Sequence, residues 1–157
     1  MAGSNKQNSA FANILLIGFV AGTLDGLAAV IWNYKIGAAT IFKYIASAVF
    51  GKAAFAGGTK MILWGILFHY GVAYIFTAIF FLSFPLFISV LKKKYLTALV
   101  FGLITWLIMN LLVVPATLIG PRALSVSNII SNAIILIFCI GLPVALLSAR
   151  AYAGRKA

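Results

Sequence analysis

The sequence predicts an all-α integral membrane protein, a four-helix bundle with a short interfacial helix between the first and second spans. Hydrophobic residues make up 64% of the 157 residues and charged residues only 8%, whereas soluble domains carry about 25% charged residues. Such a chain has too little polar surface to cover a globule, so its outer face must contact lipid. The apolar residues also gather into runs of about 20, the length that crosses a bilayer as a helix.

Four apolar runs define the spans of a single transmembrane domain that covers residues 1–157. We expect them at residues 11–32, 61–84, 95–114 and 128–147. Pro85 is expected to close or kink the second helix and Pro115 to stop the third, because proline has no amide hydrogen and collides with the carbonyl four residues earlier. The first run is not read as a signal peptide, since it is too long, contains Asp25 and has no clear cleavage site after it.

Residues 39–50 predict a short helix that lies along the membrane interface. Apolar side chains recur at helical spacing from Ile41 to Val49, while Lys43 and Ser47 share the opposite side, a pattern typical of an interfacial helix. We expect Lys43 and Ser47 to face water. A re-entrant segment is the alternative, because the small residues at 53–58 would let the chain turn back into the membrane.

The loop charges predict the orientation. With four spans, the termini and the second loop share one side of the membrane. The basic residues on that side are Lys6, Lys92, Lys93, Lys94, Arg150, Arg155 and Lys156, against Lys35, Lys43, Lys52, Lys60 and Arg122 on the other. The positive-inside rule therefore places both termini in the cytoplasm. Bases beside membrane spans also favour the lipid bilayer and its anionic headgroups as partners, and no nucleic acid is expected.

Asp25 is the only acidic residue and lies within the first span. A charged side chain at the centre of a bilayer costs about 3 kcal/mol even on mild scales, so an intramembrane acid is a functional candidate. Gly18, Gly22 and Gly26 recur every four residues beside it. Such small residues let helices pack closely, and we expect Asp25 to face the bundle interior.

The other polar side chains of the spans gather at one depth. His69, the only histidine, and Asp25 each fall roughly 5 Å from the midplane on the same side, because consecutive helices run antiparallel. We expect these two side chains to lie within direct or water-bridged hydrogen-bonding reach. The predicted polar cluster takes members from all four helices: Asp25, His69, Asn110, Ser131 and Asn132.

No motif in the sequence points to catalysis. The chain lacks a zinc-protease helix, a serine nucleophile elbow and a complete phosphate-binding loop. The single cysteine, Cys139, lies in an apolar run and is read as a core residue. We therefore expect a non-enzymatic protein without a cofactor or a metal site.

Three segments carry a resemblance to known proteins: GKAAFAGG at 51–58, HYGVAY at 69–74 and MNLLVVP at 109–115. Together they resemble a family of small uncharacterised four-helix membrane proteins of bacteria. The resemblance implies a location in the bacterial inner membrane and implies no activity.

Two functions follow from the polar cluster. In the first, the cluster joins the helices of an accessory or structural subunit, which works as a homo-oligomer or within a larger membrane assembly. In the alternative, the protein is a small proton-coupled transporter that uses Asp25 as the titrating group. A wet cavity beside Asp25 would favour transport, and a dry, packed contact would favour the structural role.

Overall fold

The computed structural model describes residues 2–121 and 125–154, and the side chains among them from Ala10 onward. The described residues contain helices and no β-strand. The helices are α1 (Ala2–Trp32), α2 (Ala38–Phe50), α3 (Ala53–Ala56), α4 (Thr59–Leu91), α5 (Lys94–Ile108), α6 (Val114–Ala116), α7 (Val126–Leu136) and α8 (Leu142–Ala153). Two π-helical turns, Met109–Val113 and Ile137–Gly141, join α5 to α6 and α7 to α8.

Among the described residues, four helical stretches are long and apolar enough to cross a membrane: Ala10–Trp32, Thr59–Leu91, Lys94–Ala116 and Val126–Ala153. They confirm the predicted all-α bundle and are called the first to fourth spans. The first and third loops meet at one end of the bundle, the loop end, and the start of the first span and the end of the fourth lie at the other, the terminal end. Of the charges used to predict orientation, Arg122, Arg155 and Lys156 lie outside the described residues, as does the side chain of Lys6.

The second span continues through Pro85 to Leu91. Of the two outcomes expected at Pro85, closure of the helix is therefore wrong, and a kink stays a prediction. Proline cannot donate to the carbonyl four residues earlier, which here belongs to Phe81. The hydroxyl of Tyr152, on α8, donates to that carbonyl at 3.0 Å. A side chain from the fourth span therefore replaces the missing amide, and the second helix need not end.

Pro115 and Pro143 are accommodated differently. Each follows a π-helical turn, and the carbonyls that they would strike, those of Leu111 and Cys139, lie inside these turns. The wider π turn places one extra residue in the helix, a common way to relieve such an interruption. Both spans thus stay helical across their prolines, and the predicted stop of the third span at Pro115 comes later, after Ala116.

The terminal half of the bundle holds the packed core. The rings of Phe80 and Phe101 stack with their centroids 4.2 Å apart, and Phe81 and Phe101 are fully buried. The first and fourth spans contribute smaller residues to the same core: Ile17, Ala21, Ile140, Val144 and Ala145. Aromatic pairs of this kind add to the dispersion energy that holds membrane helices together.

The short helix α2 packs on α4, and one of its predicted water-facing residues is buried. Ser47 is 5% exposed and its hydroxyl donates to the Tyr44 carbonyl at 2.6 Å, so the prediction that Ser47 faces water is wrong. Gly65 explains the burial, because a methyl group there would overlap the backbone carbonyl of Phe42. Lys43 is partly exposed and its Nζ lies 3.4 Å from the Phe55 carbonyl oxygen.

The first prediction concerns the hydrogen bond between Tyr152 and Phe81. Tyr152→Phe should lower the free energy of unfolding by about 1 kcal/mol, since it removes the hydroxyl that donates to the Phe81 carbonyl. In a Pro85→Ala background the amide of residue 85 can donate to that carbonyl, and Tyr152→Phe should then cost clearly less. Reversible unfolding in mixed detergent micelles measures both, with Tyr34→Phe at an exposed site as control. Equal losses in the two backgrounds would contradict this account.

Candidate functional site

The glycines of the first span determine how closely α4 approaches. Gly18, Gly22 and Gly26 all face α4, as their spacing predicts. A methyl group on each would press against a side chain of α4, namely Tyr74, Tyr70 and His69 respectively. The stripe of small residues therefore gives room for a row of large polar rings, which an ordinary leucine face would exclude.

His69 is fixed by a hydrogen bond to the backbone of α1. Its Nε2 lies 2.8 Å from the carbonyl oxygen of Gly22. A carbonyl oxygen can only accept, so Nε2 carries the hydrogen and, in a neutral ring, Nδ1 carries the lone pair. A second polar contact between the same helices joins the hydroxyls of Thr23 and Tyr70 at 2.8 Å. Together these bonds fix the orientation of the His69 ring.

The loop half of the bundle contains a partly open cavity of about 720 Å³. Four of the five predicted polar residues line it, one from each span: Asp25, His69, Asn110 and Asn132. Ser131, the fifth, is not among the lining residues. The matched depths read from the sequence therefore bring four side chains to one chamber, while Ser131 lies outside it.

Asp25 lines this cavity and receives no hydrogen bond from the described residues. It interacts electrostatically with His69 and Cys139. The predicted direct hydrogen bond to His69 is absent because the Gly22 carbonyl takes the Nε2 hydrogen. A water bridge between the two stays a prediction. An unpaired acid in an apolar setting is costly, so water or a ligand must solvate it.

The helix α2 forms part of the cavity wall at the loop end. Five of its residues line the cavity: Ile41, Tyr44, Ile45, Ala48 and Val49. The third loop is tied over the same helix, since the amide of Leu118 donates to the Ala48 carbonyl at 3.0 Å. The segment predicted to lie along the interface thus forms part of the cavity wall at the loop end.

Several polar lining residues were not predicted from the sequence: Asn33, Tyr44, Thr105 and Thr117. Asn33 and Thr117 lie just beyond the predicted ends of their spans, where polar residues are ordinary. Tyr44 was not predicted because residues 39–50 were expected to lie along the interface and not beside the polar cluster. Thr105 precedes Met109 by one turn, and Met109 also lines the cavity, so helical spacing was a usable signal for this residue alone.

The described residues contain no group of three His, Cys, Asp or Glu side chains that could hold a metal ion. Comparisons with protein-family models, with curated proteins and with solved structures find no match to this chain.

The cavity predicts a pattern of thiol reactivity. In a Cys139→Ser background, Asn132→Cys should react with a water-soluble methanethiosulfonate at least about tenfold faster than Val144→Cys, because the reagent needs a hydrated thiolate. Val144 is fully buried in the terminal core and serves as the matched site on the same span. Labelling is followed by mass shift in intact vesicles and in detergent. Equal protection of both cysteines would mean that the cavity is dry.

Proposed function

We propose that this chain is a small multi-pass transporter of the bacterial inner membrane, which binds a small solute in its cavity and couples the movement of that solute to protonation of Asp25. The observation that carries the proposal is the cavity itself. It lies within the spans, and the only acid of the chain lines it with no hydrogen bond from a described residue.

The character of the lining supports solute binding. Ligand sites are commonly of about 300–1,000 Å³, with mostly apolar walls and a few placed polar groups. Here most lining residues are aliphatic or aromatic, and the polar ones come from all four spans and from α2. Polar residues that served only to join helices would pair with each other across the helices, whereas Asp25 and Asn132 make no such bond within the described residues.

The surroundings of Asp25 support a titrating role. No Lys or Arg is among the described residues that line the cavity. The titratable groups near Asp25 are His69 from the second span, Tyr44 from α2 and Cys139 from the fourth span. An acid in such a place must be neutralised by a proton or by a cationic solute. Exchange between these two states would couple solute movement to a proton gradient.

The packing of the two halves supports a direction of access. The Phe80–Phe101 stack fills the terminal half and separates the cavity from that side. We assign both termini to the cytoplasm from the excess of basic residues at that end, so the cavity faces the periplasmic half of the membrane. Release into the cytoplasm would then require the aromatic core to open.

The alternative role, an accessory or structural subunit in a homo-oligomer or larger assembly, stays a prediction. It expects a stable complex to co-purify from native membranes. The transporter proposal instead expects function from the purified chain alone, with lipid as its only necessary partner.

The proposal predicts solute-dependent proton movement. Pyranine-loaded proteoliposomes are exposed in turn to small amines, carboxylates, neutral amides and sugars. At least one class should move protons through the wild-type protein, and Asp25→Asn should abolish the signal because an amide cannot carry the proton. Ser131→Ala, a polar change outside the cavity, should retain it. Melting temperatures of all variants establish that they are folded.

If no class of solute moves protons through folded wild-type protein, the transporter proposal fails. It also fails if Asp25→Asn transports as well as the wild type.

A further inference from the structure

We infer that the cavity takes a protonated primary or secondary amine with an apolar body, because its polar lining consists mainly of hydrogen-bond acceptors. This inference rests on the proposed function in one respect, namely that the cavity is a ligand site. It adds the chemical class of the ligand, which the presence of an acid alone would not specify.

Two asparagine side chains of the lining donate hydrogen bonds to backbone carbonyls. Asn33 Nδ2 donates to the Ala29 carbonyl at 2.9 Å, and Asn110 Nδ2 donates to the Trp106 carbonyl at 3.0 Å. Both bonds return to the preceding turn of the same helix. In each amide one N–H is thereby used, and the side-chain oxygen accepts no hydrogen bond from the described residues.

The hydroxyl groups and the imidazole follow the same pattern. Thr105 Oγ1 donates to the Phe101 carbonyl at 2.8 Å and Thr117 Oγ1 to the Val114 carbonyl at 2.7 Å. The Nε2–H of His69 is directed at the carbonyl of Gly22. Each of these three side chains donates its hydrogen to a backbone carbonyl. The atoms still able to bond a ligand are therefore acceptors, namely an oxygen lone pair of each threonine and Nδ1 of His69.

The physical reason is general for membrane helices. Short polar side chains in apolar surroundings donate to a backbone carbonyl of their own or a neighbouring helix when no better acceptor is near. The carboxylate of Asp25 has no hydrogen to donate and adds further acceptor sites. The remaining N–H groups of Asn33, Asn110 and Asn132 are still donors, but the lone pairs and the Asp25 carboxylate outnumber them. A ligand that brings N–H donors and a positive charge therefore matches this lining best.

This matching excludes several classes of ligand. An anion would meet the Asp25 carboxylate and find no Lys or Arg on the described lining. A neutral alcohol can donate one hydrogen but brings no charge. A quaternary ammonium brings charge but no N–H, so it cannot bond to Asn33, Asn110 or Nδ1 of His69. A primary or secondary ammonium group supplies both.

The remaining walls suit the apolar part of such an amine. Ile41 and Ile45 of α2, Phe76 of the second span and Ile135 of the fourth line the same cavity. At about 720 Å³ there is room for an aromatic or branched alkyl group beside the ammonium.

The test compares four probes that share one phenyl group, on the full chain in lipid nanodiscs: phenethylammonium, its N,N,N-trimethyl derivative, 2-phenylethanol and phenylacetate. Equilibrium dialysis measures each affinity. Phenethylammonium should bind at least about tenfold more tightly than either the trimethyl derivative or the alcohol, the value of a charge-assisted hydrogen bond. Phenylacetate should not bind.

Two variants separate charge from hydrogen bonding. Asp25→Asn should weaken phenethylammonium and the trimethyl derivative alike. Asn110→Leu, close to isosteric, should weaken phenethylammonium and leave the trimethyl derivative unchanged. Ser131→Ala should change neither. The comparison among probes on the wild-type protein stands even if a variant fails to fold.

Equal affinities for phenethylammonium and its trimethyl derivative would overturn the inference, as would tighter binding of phenylacetate or no binding of phenethylammonium at millimolar concentration. If proton movement in proteoliposomes occurs with a carboxylate or a neutral solute instead, the proposed transport survives and the amine assignment alone fails.

Discussion

The requirement that each backbone carbonyl within a bilayer has a donor from the protein shapes the rest of this structure. Pro85 removes the donor of the Phe81 carbonyl, and Tyr152 supplies another from a different span. Pro115 and Pro143 are instead absorbed by π-helical turns. The matching requirement, that each polar hydrogen in apolar surroundings has an acceptor, directs the hydrogens of polar side chains to backbone carbonyls and leaves acceptors in the cavity. One physical constraint thus accounts for the continuity of the helices and for the chemistry of the site.

The two halves of the bundle differ in how densely they are packed. The terminal half is filled by phenylalanine rings such as Phe80 and Phe101, stacked at 4.2 Å, and supplies the contacts that hold the spans together. The loop half contains the cavity beside Asp25, and α2 forms part of the wall of that cavity. It is therefore less densely packed than the core. Under the proposed function, the packed terminal half maintains the fold, and the loop half has room for a ligand.

Much of this arrangement was predictable from the sequence, and the reasons differ by element. The spans follow from hydropathy alone, and the shared depth of Asp25, His69, Asn110 and Asn132 follows from the constant rise of a helix. The burial of Ser47 did not, because it depends on the close approach of α2 that Gly65 permits. Hydrogen-bond partners that are far apart in the sequence could not be predicted either. The Tyr152 hydroxyl carries α4 past Pro85, and the Gly22 carbonyl takes the His69 hydrogen that was assigned to Asp25. The sequence thus predicts the depth of a polar side chain in the membrane well, but it predicts poorly which group at that depth is its hydrogen-bond partner.

The central claim is that Asp25 is a ligand-binding carboxylate inside a wet cavity, and a single resonance can test it. Asp25 is the only acidic side chain, so aspartate labelled with carbon-13 at the side-chain carboxyl gives one signal that needs no assignment. The measurement is its solid-state NMR shift in lipid bilayers at fixed pH, with increasing phenethylammonium and then with phenylacetate. The account predicts a saturable change in the carboxyl shift with the amine and none with the acid. A carboxyl signal that stays constant under both titrations would contradict it.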